Sequence, residues 1–146
     1  MMQKINIVCV GKIKEEFYRS AVGEYLKRIS RFAKAEIKEI PEGRNLEEEA
    51  AGILKAAKGK IIALCIEGEK YSSEKLAGFL KGLTDRGDEA TFIIGSSYGL
   101  SNAVKQKADL KLSFSAMTFP HQLMRVILCE QLYRAFMINS GSEYHK

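Results

Sequence analysis

Residues 61–66 read Ile-Ile-Ala-Leu-Cys-Ile, an unbroken apolar run between Lys60 and Glu67. A strand with one wet face alternates apolar with polar residues; a short continuous apolar run is what a strand covered on both faces requires. Such a strand takes a central place in a parallel sheet. Ala90–Ile94 reads the same way and stops at Gly95, and Ile5–Val10 is a third β-rich run, closed by Gly11. Shorter strands are expected over Ala35–Ile40 and where Leu110, Leu112 and Phe114 alternate with Lys111, Ser113 and Ser115.

Helical periodicity fills the gaps. Phe17, Tyr18, Ala21, Val22, Tyr25, Leu26 and Ile29 form one apolar stripe. After Pro41-Glu42-Gly43, Asn45 stands as an N-cap with Glu48 three residues on, and Leu46, Ala50, Ile53, Leu54 and Ala57 make a second helix ending at Gly59. The acids Glu47, Glu48 and Glu49 read as first-turn residues facing the helix dipole. Ser72 or Ser73 caps a third helix with Leu76, Phe79, Leu80 and Leu83 inward, and Ser101 or Asn102 starts a short fourth. Pro120 sits where N1 prolines sit, and a last helix runs to about Asn139. Alternating strands and helices predict an α/β fold, a mostly parallel sheet flanked by helices. Neither an internal repeat nor a linker divides residues 1–146, so one domain is expected.

Composition narrows the class. At 146 residues, 46% hydrophobic, the chain can bury a full core without disulfides but leaves no room for a separate RNA-binding domain. No run of about 18 apolar residues could span a bilayer, and the amino terminus lacks a signal-peptide cleavage pattern; a cytoplasmic protein with no membrane partner is expected. Cys9, Cys65 and Cys129 each lie in an apolar run, as small buried hydrophobes do. With two His and no paired ligand spacing, no metal site is expected. Residues 1–40 hold nine Lys/Arg against five Glu, 41–100 eight against ten acids, and 101–146 six against three. Two basic ends meeting in the fold would make a positive face suited to RNA phosphates; an ordinary solvated surface is the alternative.

The last helix is apolar around most of its circumference, from Leu123 and Met124 through Val126–Cys129 to Leu132, Tyr133 and Ala135–Met137. A two-layer domain cannot surround such a helix, so a homodimer contact is expected to cover its second side.

Ligands of parallel sheets bind outside the carboxyl ends of the strands. Three such ends carry small residues here: Ile66-Glu67-Gly68, Ile94-Gly95-Ser96 and Ser113–Thr118. Gly68, Gly95 and Gly99 allow close backbone approach, and Leu64, Phe114, Met117 and Phe119 could wall an adenine-sized ring. No G-x-G-x-x-G, P-loop or G-x-S-x-G signature occurs, which favours a ligand without phosphates and disfavours hydrolase chemistry.

Leu112-Ser-Phe-Ser-Ala-Met-Thr-Phe-Pro-His-Gln-Leu-Met-Arg125 strongly resembles the bacterial RlmH family, together with Phe92–Leu100 before it and Glu130–Ala135 and Tyr144-His145-Lys146 after it. These are the 23S rRNA pseudouridine-N3 methyltransferases of the SPOUT superfamily. The likeness runs from Val10-Gly11-Lys12 to the terminal YHK, and its T-F-P-H-x-x-x-R block is specific. One departure is Ser96, where the family commonly has a second glycine after Gly95.

The resemblance implies S-adenosylmethionine as methyl donor, a homodimer, 23S rRNA within the ribosome as substrate, and a C-terminal trefoil knot. The general rule against knotted chains would have excluded that knot. Its cofactor site maps onto Leu64, Gly95 and the segment Phe114, Ser115, Ala116, Met117, Thr118 and Phe119. For methylation of an imide nitrogen, Arg125 and Arg134 are candidates to stabilise developing charge, with His121 or His145 as base. His121 could instead pack or cap, and Arg134 could pair with Glu130. Tyr144, His145 and Lys146 combine a stacking ring with positive charge and are the RNA-binding candidates, a frayed tail being the alternative. A SPOUT enzyme acting on tRNA and a non-catalytic RNA-binding module remain competing functions.

Overall fold

The computed structural model describes residues 2–144 and alternates strands with helices. β1 (Gln3–Val10) is followed by α1 (Glu16–Ile29), β2 (Ala33–Ile40), α2 (Leu46–Ala56), β3 (Lys60–Lys70) and α3 (Ser73–Arg86). Then come β4 (Ala90–Ile94), α4 (Asn102–Lys107), β5 (Leu110–Ser113) and α5 (His121–Asn139). The strands pair in the order β2-β1-β4-β3-β5, parallel throughout. The expected parallel α/β sheet is present. β3 is internal, but the middle strand is β4, all five of whose residues are buried.

The pleat sorts side chains into two cores. Ile5, Ile7 and Cys9 of β1 face one layer with Phe92 and Ile94, covered by α1, α3 and α5. Val8 and Val10 face the other with Ala63 and Ile93, covered by α2 and α4. The domain therefore has three layers, not the two from which an outside partner for the last helix is expected. α5 packs against α1 on one side and α3 on the other. Phe136 stacks on Phe32 at 5.6 Å between ring centroids, and Asn139 Nδ2 donates to the Ala77 carbonyl at 3.0 Å. The chain itself thus covers most of the apolar circumference that suggested an external partner. Leu123 and Ile127 are half-buried yet join neither core, and they mark the strip left over.

Side-chain caps explain the helix starts. Asn45 Oδ1 accepts from the Glu48 N–H (2.8 Å), Ser72 Oγ from Lys75 (3.0 Å) and Ser101 Oγ from Val104 (3.3 Å). Pro120 is the N-cap of α5 rather than its first helical residue. β3 continues to Lys70, with a register shift against β5 between Leu64 and Glu69. At that bulge a Cβ on Gly68 would come within 2.7 Å of the Lys111 carbonyl, so this glycine admits β5 and not a ligand.

Candidate functional site

Leu64–Glu67 in the second half of β3, the segments leaving the carboxyl ends of β4 and β5, and the start of α5 line a cleft of about 690 Å³. That volume suits a nucleoside-sized ligand. Of the residues expected there, Leu64, Gly95, Phe114, Ser115, Met117, Thr118 and Phe119 line it, whereas Ala116 does not. Leu100, Tyr98, Lys105 and Met124 also line it, and sequence reasoning had not singled them out. Loop 113–118 is shaped internally: Ser113 Oγ donates to the Ser115 carbonyl (3.0 Å), and Ser115 Oγ accepts from the Met117 N–H (3.0 Å).

Gly95 is required for a reason other than ligand approach. A Cβ there would lie 2.4 Å from the Gly99 carbonyl oxygen, because the turn folds back on itself. Gly99 N–H donates to the Ser96 carbonyl at 2.9 Å, and Gly99 takes φ +86°, the left-handed region glycine allows. Substituting valine at Gly95 would therefore break the turn whether or not a ligand binds.

Ser96 is buried and donates to Glu49 Oε1 at 2.9 Å; its Oγ also accepts from the Tyr98 N–H at 3.3 Å. Glu49 Oε2 accepts from the Gly43 N–H at 3.2 Å. Glu47 and Glu48 are exposed as a dipole-facing run should be, but Glu49 is only 4% exposed and belongs to the support of the cleft. At the cleft wall Lys105 forms an ion pair with Glu67 and holds its carboxyl below the usual range. Burial, then Glu67, pushes the Cys65 thiol up.

The catalytic candidates separate into different settings. His121 opens α5 and lines the cleft. Arg125, one turn on, is 0% exposed. Its Nη1 binds Glu39 Oε2 at 2.7 Å, and its Nη2 donates to the carbonyls of Gly11 (2.7 Å) and Val10 (3.4 Å). Its Nε has no partner among the described residues. The guanidinium joins α5 to the ends of β1 and β2 and does not face the cleft. Glu39 Oε2 also accepts from the Ile13 N–H at 2.9 Å, and Gln122 Oε1 accepts from the Lys14 N–H at 3.2 Å. Loop 11–15 is thereby fastened beside His121.

Arg134 pairs with Glu130 at 2.7 Å, the helical i,i+4 pair its spacing allows. Tyr144 is not a frayed end. Its ring lies edge-on to Tyr133 at 5.0 Å and under Arg134 at 4.9 Å, and its hydroxyl donates to Glu130 Oε1 at 3.1 Å. At 1.5 Å per residue, Arg134 stands about 20 Å along α5 from His121. His145 and Lys146 lie outside the described residues. Among the described residues no group of three His, Cys, Asp or Glu could hold a metal ion, and no helix is long and apolar enough to cross a membrane.

The family described as "Predicted SPOUT methyltransferase" matches residues 2–145. The chain belongs to the SPOUT methyltransferase family. Ribosomal RNA large subunit methyltransferase H of Streptococcus uberis is 46% identical, the alignment covering 98% of this chain and 99% of that protein. The protein of the same name from Lactobacillus helveticus is also 46% identical, over 97% and 99%. Among solved structures, a probable methyltransferase from Bordetella pertussis Tohama I shares the fold with a TM-score of 0.56 at 12% identity, over 91% of this chain and 94% of that one. The SpoU methyltransferase AviRb from Streptomyces viridochromogenes, in complex with the cofactor AdoMet, gives 0.51 at 10% identity, over 94% and 59%. The likeness to these solved structures is one of fold, which in this chain is a parallel sheet between helices.

Proposed function

We propose that this protein methylates N3 of a pseudouridine in 23S rRNA, on the ribosome in the cytoplasm, with S-adenosylmethionine as donor and as a homodimer. The observation that carries this reading is the 46% identity, over 98% of the chain, to a ribosomal RNA large subunit methyltransferase. The cleft fits the donor: Leu100, Phe114 and Met124 offer apolar walls for an adenine ring, and Gly95, Ser96, Ser97 and Gly99 of the 95–99 turn offer backbone with at most a small side chain. When bound there, the donor supplies an electrophilic methyl group on sulfur. The chain's own task is positioning and charge management.

The imide nitrogen must lose a proton, and the resulting charge spreads to the flanking carbonyl oxygens. His121 lines the cleft and is suited to take that proton; His145, the other candidate base, lies outside the described residues. Arg134 is suited to the spreading charge but lies about 20 Å along α5 from His121. An isologous contact with antiparallel α5 helices crossing near Ile127 resolves this. Residues 121 and 134 are nearly equidistant from Ile127, so such a contact sets His121 of one chain opposite Arg134 of the other. Arg125 acts from behind, holding α5 and loop 11–15 in register.

The test is transfer of tritium from labelled donor to ribosomes, free rRNA and tRNA, with the product nucleoside identified. N3-methylpseudouridine from ribosomes is expected. Methylation of tRNA alone, or RNA binding without transfer, would overturn the proposal.

A further inference from the structure

We infer that Glu49 is a positioning residue for the methyl donor: acting through Ser96, it sets the 95–100 turn that closes one side of the cleft. The inference rests on the donor reading above. Among the described residues Glu49 and Arg125 are the buried acid and the buried base, and of the two only Arg125 meets an opposite charge there. Glu49 instead meets two neutral donors, the Ser96 hydroxyl at 2.9 Å and the Gly43 N–H at 3.2 Å, within the first turn of α2. A hydroxyl bonded to a carboxylate makes the stronger, charge-assisted kind of hydrogen bond. Its proton is therefore committed to Glu49, and the oxygen accepts from the Tyr98 N–H.

This bond reaches across the molecule. α2 covers the face of the sheet opposite α5, and among the described residues none of α2 lines the cleft. The turn it grips cannot flex piecemeal, since Gly95 already packs against the Gly99 carbonyl. Fixing Ser96 thus fixes the turn as a unit, from Gly95 to Leu100, both of which line the cleft. The serine stands where the resembled family commonly has glycine, which offers no hydroxyl for such a bond.

Calorimetry of the full-length protein with S-adenosylhomocysteine, the demethylated donor, is the test. Wild-type protein that does not bind it would remove the donor reading itself. Given wild-type binding, Glu49→Ala and Ser96→Ala should each weaken it about tenfold, the scale of one hydrogen bond to a charged group. The double variant should lose little more than either single one, because both remove the same bond. Glu49→Gln keeps an acceptor oxygen for Ser96 and should recover most of the affinity. In turnover the donor KM should rise while the ribosome KM holds, a split that mere loss of folded protein would not produce. If Glu49→Ala fails to fold, Ser96→Ala decides. Wild-type donor affinity in a folded Ser96→Ala protein, or full additivity of the two substitutions, would overturn the inference.

Discussion

Replacing Arg125 by methionine separates an anchoring role from a direct catalytic one. Methionine fills similar space, so the change removes the guanidinium's bonds with little cavity. The Gly11 carbonyl loses a donor at 2.7 Å, the Val10 carbonyl a longer one at 3.4 Å, and Glu39 a charged partner at 2.7 Å. The Glu39 side chain is 35% exposed and keeps the Ile13 N–H, so water replaces much of its loss. The two carbonyls dominate, and the expected cost is about 2–4 kcal/mol. Against a total stability of roughly 5–15 kcal/mol, the variant remains folded but melts early. Urea unfolding followed by circular dichroism reads the stability, and single-turnover transfer to ribosomes, normalised to folded protein, reads the chemistry. The midpoint should fall while transfer per folded molecule drops less than about a hundredfold, the loss expected for a group that touches the developing charge. Wild-type stability with abolished transfer would refute the anchoring role.

Ile127→Asp or Leu123→Asp should give a folded monomer by sedimentation, whereas Leu128→Asp, at a position 0% exposed, should unfold the chain outright; a wild-type monomer at micromolar concentration would dismiss the interface. Burial pushes the Cys9 and Cys129 thiols up to about 12, so iodoacetamide at mildly alkaline pH should modify Cys65 first, and S-adenosylhomocysteine should slow it. Comparable labelling of all three thiols in native protein would contradict the packing. Deleting residues 144–146 should collapse methylation and cost about 1–3 kcal/mol, because Tyr144 packs on Tyr133 and bonds Glu130; wild-type rates at low and physiological salt would withdraw the tail from the site. Burial, then Glu130, holds the Tyr144 hydroxyl above the usual tyrosine range. Its contribution is therefore complete at neutral pH and is lost as pH climbs through that raised value, so an alkaline melting series should narrow the gap between full-length and truncated protein.

The elements were legible where local pattern and burial coincide. The run at 61–66 places β3 inside the sheet, and Asn45, Ser72 and Ser101 cap where a polar side chain precedes an apolar period. The segments after β4 and β5 were legible as neighbours around one cleft because parallel topology gathers carboxyl ends, whereas the set 64, 95 and 114–119 is what the family resemblance implies. What escaped depends on partners distant in the chain. Glu49 is indistinguishable by spacing from the solvated Glu47 and Glu48; its burial follows from Ser96, 47 residues away. Arg125 reads as a polar interruption of an apolar helix, and only the meeting of α5 with Glu39 and Gly11 gives its charge a place to go. The even spread of apolar residues around α5 suggested a second subunit because a third layer was not foreseen.

The position of β4 between β1 and β3 bears on how the chain is made. During synthesis β1 and β2 can pair early, but β3 has no sheet neighbour until residues 90–94 emerge and insert beside β1. Until then a nascent chain exposes the open, apolar edges of β1 and β3, a hazard for association with other chains. The arginine that ties α5 to β1 and β2 emerges later still, bonding a carbonyl 114 residues earlier in the chain. Closure of the domain therefore waits for the last helix to leave the exit tunnel, since a product terminated early within α5 lacks that helix's share of one core.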